Sequence, residues 1–176
     1  MYPFIRIAHR GASKECPENT VLAFRRAIEH GIDGLELDVH LSRDEQLVVI
    51  HDHTLNRTTN GTGRVGDHTL KELRRLDAGR GEQIPTLEEV YQLVQGTSIR
   101  LCIEIKGATL PEELNITEAV VQSVQQANLH GQVILTSFSP QALLKARSIE
   151  PTLPTMLDPS PQDGSLSPRD ICDQAL

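Results

Sequence analysis

Apolar and polar positions in this chain alternate between two periods. Short β-branched runs give way to stretches whose apolar residues recur every three or four positions, from Ile5 to about Leu157. Ile5 to His9 reads as a first strand, and a helix follows from about Glu18 to His30. Its apolar positions Val21, Leu22, Ala23, Phe24, Ala27 and Ile28 lie close to one stripe. Asn19 or Thr20 suits the helix start, and Gly31 stands where a C-terminal glycine belongs. Leu35 to Val39 and Leu47 to His51 read as the next two strands. The link between them is too short for a helical crossover, so an extended segment with a turn at Arg43-Asp44-Glu45 is expected.

Residues 52 to 86 differ in texture. Asn60-Gly61-Thr62-Gly63 and Gly79-Arg80-Gly81 are turn chemistry around a short helix from Thr69 to Leu76, an insertion beyond the third strand. Thr86, with Glu89 three residues on, then caps a helix carrying Leu87, Val90, Tyr91 and Val94. Leu101 to Ile105 is almost continuously apolar, as in a strand buried on both faces. A helix from Leu114 to Ala127, a strand from Val133 to Ser137, a helix from about Gln141 to Ile149 and a sixth strand within Thr152 to Leu157 complete the alternation. After Asp158 the chain turns Pro/Ser-rich and ends at Leu176 on a possible short helix.

Strands and helices in strict alternation predict an α/β fold with a parallel sheet. Candidate chemistry lies at the ends of several strands, which favours a TIM (β/α)8-type barrel over a doubly wound sheet. No Gly-rich dinucleotide loop follows the first strand. A full barrel takes about 250 residues. Five or six strands within 1–176 therefore predict one barrel domain lacking its C-terminal strands, with 52–86 inserted in it.

Composition narrows the partners. The 176 residues are 38% hydrophobic and 23% charged, with a net charge of -7 and 3% aromatic residues, which argues against a nucleic-acid surface. A local Arg–Lys pair can still hold one phosphate on an acidic protein. No apolar run approaches the roughly 20 residues of a membrane span. No signal-peptide pattern opens the chain, and Cys16, Cys102 and Cys172 are widely spaced with no zinc pattern. A reducing, cytoplasmic setting is the expectation, without stable membrane insertion; the sequence leaves the oligomeric state open.

The candidate chemistry is compact. Glu36 and Asp38 stand two apart on a strand and share a face, and Glu104 ends another strand. Three carboxylates without thiolate or imidazole suit a hard divalent ion, Mg²⁺ or Ca²⁺; ordinary ion pairs with Arg or Lys are the alternative. His9 and His51 each end a strand and titrate near neutrality, fit for paired base and acid work or for a structural role. Arg10 and Lys106 can hold phosphate oxygens, although Lys106 can equally pair with Glu104 or Glu36. Asp52 can orient His51 or cap the loop. Phe138 can line the pocket or belong to the core. Arg57-Thr58-Thr59 is expected to stabilise the insertion. His30, His40, His53, His68 and His130 are placed on helix ends or loops and given no role.

In combination the segments His9-Arg10-Gly11, Pro17-Glu18-Asn19-Thr20, Glu36-Leu37-Asp38-Val39, His51 to Thr58, Glu104-Ile105-Lys106 and Thr136-Ser137-Phe138 resemble the glycerophosphodiester phosphodiesterase family, in its order. The resemblance implies a TIM barrel hydrolysing glycerophosphodiesters to an alcohol and sn-glycerol 3-phosphate. It implies a metal on Glu36, Asp38 and Glu104, an acid/base pair in His9 and His51, and phosphate contacts from Arg10 and Lys106. The family's later strands, with a Trp-Thr-Val-Asn-like motif and a closing Gly-x-Asp segment, have no counterpart here. A lysophospholipase D-like activity and a non-catalytic barrel completed by a partner are the rival readings.

Overall fold

The computed structural model describes residues 5–158. Strands β1 (Ile7–His9), β2 (Gly34–Leu41), β3 (Leu47–Val49), β4 (Arg100–Ile105), β5 (Val133–Ser137) and β6 (Thr155–Leu157) alternate with helices α1 (Val21–Glu29), α2 (Leu70–Leu73), α3 (Leu87–Val94), α4 (Leu110–Ala127) and α5 (Pro140–Ile149). Five strands pair in parallel in the order β1-β2-β4-β5-β6. Among the described residues β1 and β6 are the edges, so the sheet is an open α/β wall of barrel type.

One strand departs from the expected parallel neighbours. β3 pairs antiparallel with β2, with Leu47 opposite Leu41 and Val49 opposite Val39. The short link forces this: β2 overshoots, the chain turns where Glu45 donates to the Ser42 carbonyl, and β3 folds back as a hairpin arm. Ile50 then donates its N–H to the Asp38 carbonyl, which returns the chain toward the middle of β2. His51 therefore reaches the rim by a fold-back and not as the end of a wall strand.

The helix starts follow their caps. Thr20 Oγ accepts from the Ala23 N–H and sets α1 three residues later than Glu18, because 17–20 forms a turn with Asn19 at φ 56°. Both Thr69 with Glu72 and Thr86 with Glu89 form complete capping boxes. α4 starts one turn before the expected Leu114, since Pro111 fits the first turn of a helix and does not break it. The possible helix ending at Leu176, and Cys172, lie outside the described residues.

The main core joins β2, β4 and β5 to α1, α3 and α4 through Phe24, Leu35, Leu37, Leu101, Ile103, Val120 and Leu135, all buried. Residues 52–86 carry a smaller cluster, in which Leu55, Val65, Leu73, Ala78 and Ile84 pack on Val48 and Ile50 of the hairpin arm. The insertion is thereby anchored beside the strand ends by its own apolar contacts. Among the described residues no helix is long and apolar enough to cross a membrane.

Candidate active site

Sheet register assembles the acids. His9 lies opposite Glu36 across β1 and β2, and Asp38 lies opposite Glu104 across β2 and β4. Register partners point to the same side of a sheet, and so do residues two apart on one strand. Glu36, Asp38 and Glu104 therefore share one face, and one oxygen from each lies within 4.8 Å of the others. Oxygens on opposite sides of one Ca²⁺ stand up to about 5 Å apart, and about 4 Å for Mg²⁺. The trio can reach a single Ca²⁺ as it stands, and Mg²⁺ after a slight closure.

Asp38 is fully buried, and Glu104 nearly so. Asn19 Nδ2 donates to Asp38 Oδ2 over 2.8 Å, and Arg10 Nε stands 3.4 Å from the same oxygen. Lys106 Nζ is 2.5 Å from Glu104 Oε1 and 3.6 Å from Asp38 Oδ1. Asp38 Oδ1 is buried without a hydrogen-bond partner, while Glu104 Oε1 has the Lys106 ammonium as its close ionic contact. An unpaired buried oxygen on Asp38, among three clustered acids, suits a hard cation. Burial, reinforced by the Asp38 charge, pushes the Glu36 carboxyl up to about 8. Burial also raises Glu104, with Lys106 opposing the shift. A dication would remove that cost by keeping all three acids ionised.

The loop after β1 supplies the cationic wall. Arg10 takes φ 56° and Gly11 φ 75°, and this left-handed step aims the Arg10 N–H at both the Glu36 carbonyl and Glu36 Oε2. A Cβ on Gly11 would meet the Ala23 backbone carbon at 2.7 Å, so only glycine lets the loop lie on α1. His9 Nε2 stands 3.8 Å from Glu36 Oε2, and burial followed by the Arg10 charge lowers its pKa.

His51 joins through a chain of contacts. Asp52 Oδ1 accepts from His51 Nδ1 at 2.6 Å, so the Asp52 carboxylate lies against the His51 ring. Arg57 forks onto Asp52 (Nε to Oδ2 2.7 Å, Nη2 to Oδ1 2.9 Å) and onto Glu18 (Nη1 to Oε2 3.0 Å, Nη2 to Oε1 2.8 Å). Glu18 Oε1 also accepts from Arg10 Nη1 at 3.0 Å. Arg57 thus also reaches outside the insertion, to Glu18 in the turn before α1.

Three of the seven sequence candidates, His9, Glu36 and Glu104, line one cleft of about 370 Å³; Arg10, Asp38 and Lys106 join them through their ion contacts, and His51 stands on a neighbouring pocket with Glu18 and Asn19. The cleft is lined by His9, Glu36, Glu104, Thr136, Phe138 and Asp158 among others. Phe138 lies on the cleft, its ring centre 5.2 Å from Lys106 Nζ, and is not a core residue. His40 is corrected: it belongs to β2, is buried, and Nε2 donates to the His51 carbonyl. Its pKa falls to about 4 through burial. Glu18 and Asn19 were missing from the candidates by residue type, although the Pro17–Thr20 motif contained both.

With this geometry in view, comparison with known proteins places the chain. The profile of the "Glycerophosphoryl diester phosphodiesterase family" matches residues 9–160. The chain belongs to this family. A "Glycerophosphodiester phosphodiesterase" of Caldanaerobacter subterraneus subsp. tengcongensis is 46% identical over 154 residues, covering 84% of this chain and 63% of the relative. The crystal structure of a glycerophosphodiester phosphodiesterase from Agrobacterium tumefaciens superposes with TM-score 0.77 at 35% identity, over 87% of this chain and 66% of that one. An Oleispira antarctica phosphodiesterase in complex with the product sn-glycerol-3-phosphate superposes with TM-score 0.82 at 33% identity, over 93% and 70%. The chain thus spans about two thirds of the length of these family members, and its open sheet corresponds to part of the family's TIM barrel.

Proposed function

We propose that this chain carries the site of a metal-dependent phosphodiesterase that hydrolyses glycerophosphodiesters to an alcohol and sn-glycerol 3-phosphate. The observation that carries the reading is the Glu36–Asp38–Glu104 oxygen cluster within 4.8 Å, flanked by Arg10, Lys106 and His9. Family membership and the glycerol-3-phosphate complex of the Oleispira protein support the substrate class.

Glu36, Asp38 and Glu104 would hold Mg²⁺ or Ca²⁺, which supplies charge neutralisation at a phosphate oxygen. Arg10 and Lys106 would bind the remaining phosphate oxygens and stabilise the charge that grows at phosphorus. The glycerol 2-hydroxyl attacks phosphorus and one histidine of the His9–His51 pair takes its proton. The other histidine protonates the leaving alcohol oxygen as its bond to phosphorus breaks. Water then opens the cyclic phosphate with the histidines in exchanged roles, giving sn-glycerol 3-phosphate. Asp52, as acceptor of the Nδ1 proton, leaves Nε2 as the His51 nitrogen with a free lone pair.

Residues 1–176 would form one barrel-type domain with 52–86 as an insertion, a reading supported by the small cluster seated on the hairpin arm. The free thiols Cys16 and Cys102 suit a cytoplasmic setting. The test is release of glycerol 3-phosphate from glycerophosphocholine. Turnover should vanish in EDTA and return with Mg²⁺ or Ca²⁺. Full turnover in EDTA overturns the metal; no release with either ion overturns the activity. Preference for lysophosphatidylcholine would shift the substrate class to long-chain lipids.

A further inference from the structure

We infer that Arg57 is a positioning residue that ties the two cationic and imidazole walls of the site into one unit. The inference rests on the proposed phosphodiesterase reading. Its basis is an unbroken line of charge-assisted hydrogen bonds, Arg10–Glu18–Arg57–Asp52–His51, in which each contact is 3.0 Å or shorter.

The chemistry of the line is directional. Asp52 can only accept, since its carboxyl is held well below its ordinary range by the Arg57 fork and then by His51. The proton between Asp52 and His51 therefore sits on Nδ1. A carboxylate beside an imidazole fixes the tautomer only while the carboxylate itself is fixed. Arg57 does that with two parallel bonds to Asp52, and turns its other edge to both oxygens of Glu18. Glu18 passes the constraint to the Arg10 side chain through Nη1. Arg10 comes from the loop after β1, Glu18 from the turn before α1, and Asp52 and Arg57 from the insertion. The insertion is thus coupled to the two groups assigned to phosphate binding and proton transfer.

A lysine cannot substitute, because an ammonium has no planar fork to satisfy two carboxylates at once. Arg57 is 47% exposed, so the line adds only modestly to stability, and its hold on the ring is the larger effect.

The test has two readouts on the full chain. In ¹⁵N spectra of the metal-loaded protein, His51 should show a protonated Nδ1 and a bare Nε2. Arg57→Gln should convert this to a mixture of tautomers. It should also lower kcat on glycerophosphocholine about 10- to 100-fold, the usual effect of removing an orienting partner. Arg57→Lys should recover less than half of that loss. Unchanged His51 nitrogens with unchanged kcat per folded molecule, beside a lowered Tm, would overturn the inference and leave Arg57 a structural residue. Should Arg57→Gln fail to fold, Arg57→Lys carries the ring-nitrogen readout, and a wild-type pattern there overturns it equally. The ring readout needs no turnover: a shifted tautomer in a chain inactive on glycerophosphodiesters would support the positioning role and sink only the activity.

Discussion

Asn19 donates from Nδ2 to Asp38 Oδ2 across 2.8 Å, with both side chains buried and Asn19 itself in the left-handed region. The strained turn places a neutral donor against an acid that cannot reach water. Asn19→Ala should destabilise the protein by about 1 to 3 kcal/mol, the cost of leaving a buried acceptor unmet. Asn19→Gly loses the same bond but relieves the backbone, so it should be about 1 kcal/mol milder. Urea unfolding of both variants checks the order; equal stability to the parent would mean that Asp38 finds another donor.

Gly11 lies tightly against the Ala23 backbone near the site. A methyl group at Gly11 would stand 2.7 Å from the Ala23 carbonyl carbon, with φ 75° adding strain. Gly11→Ala should cost more than about 1 kcal/mol, because helix backbone cannot give way as a flexible side chain does. Denaturant midpoints would measure it.

The acid cluster should be costly when empty and stabilising when filled. Mg²⁺ or Ca²⁺ at 100 times its dissociation constant would stabilise the folded protein by about 2.7 kcal/mol. Asp38→Asn and Glu36→Gln should lose most of that shift in thermal melts. In EDTA Glu36→Gln should melt no lower than the parent, because burial already disfavours the Glu36 charge when the site is empty. A metal-induced shift that survives both substitutions would place the ion elsewhere.

Arg57 links stability to acid. It holds both Asp52 and Glu18 below their ordinary carboxylate values. The unfolded chain therefore binds protons first as pH falls. The stabilisation is present in full above about pH 5 and is lost progressively as pH drops toward the lowered folded values. After allowance for solvent at Arg57, the effect is about 1 kcal/mol. The gap in unfolding free energy between the parent and Arg57→Gln should start to narrow below about pH 5 and keep narrowing as the pH falls further. A gap that widens on acidification would contradict the ion-pair account.

Removal of either imidazole separates the proton-transfer roles from structural ones. His9→Ala and His51→Ala should each reduce kcat by about 10² to 10⁴ while leaving metal-induced stabilisation in place. His9 is largely exposed, so its loss should barely move the melting temperature. A mild effect on kcat at either position would assign that histidine a structural task.

The alternation of short β-branched runs and amphipathic stretches was enough to read an α/β wall, because a buried parallel strand and a surface helix impose different periods on their side chains. The acid trio was legible for a related reason. A two-residue spacing puts Glu36 and Asp38 on one face in any strand, whatever the strand's neighbours.

Long-range pairing was not legible. The short link before Leu47 rules out a parallel crossover, but the residues of Leu47–Val49 do not say which strand they pair with, and the register that sets Asp38 beside Glu104 belongs to two strands distant in the chain. Helix starts shifted for a local reason, since Pro111 and the 17–20 turn act through backbone geometry that periodicity does not see. The partners of His51 and Arg10 were hidden in residues that look like ordinary surface charge. Glu18 and Arg57 gain meaning only when an insertion 39 residues away in sequence lies against the turn before α1. The sequence by itself determined the periods, the caps and the identity of the acids and imidazoles. Tertiary structure decided strand direction, register and which carboxylate holds which guanidinium, because those depend on contacts between segments that composition and spacing leave free.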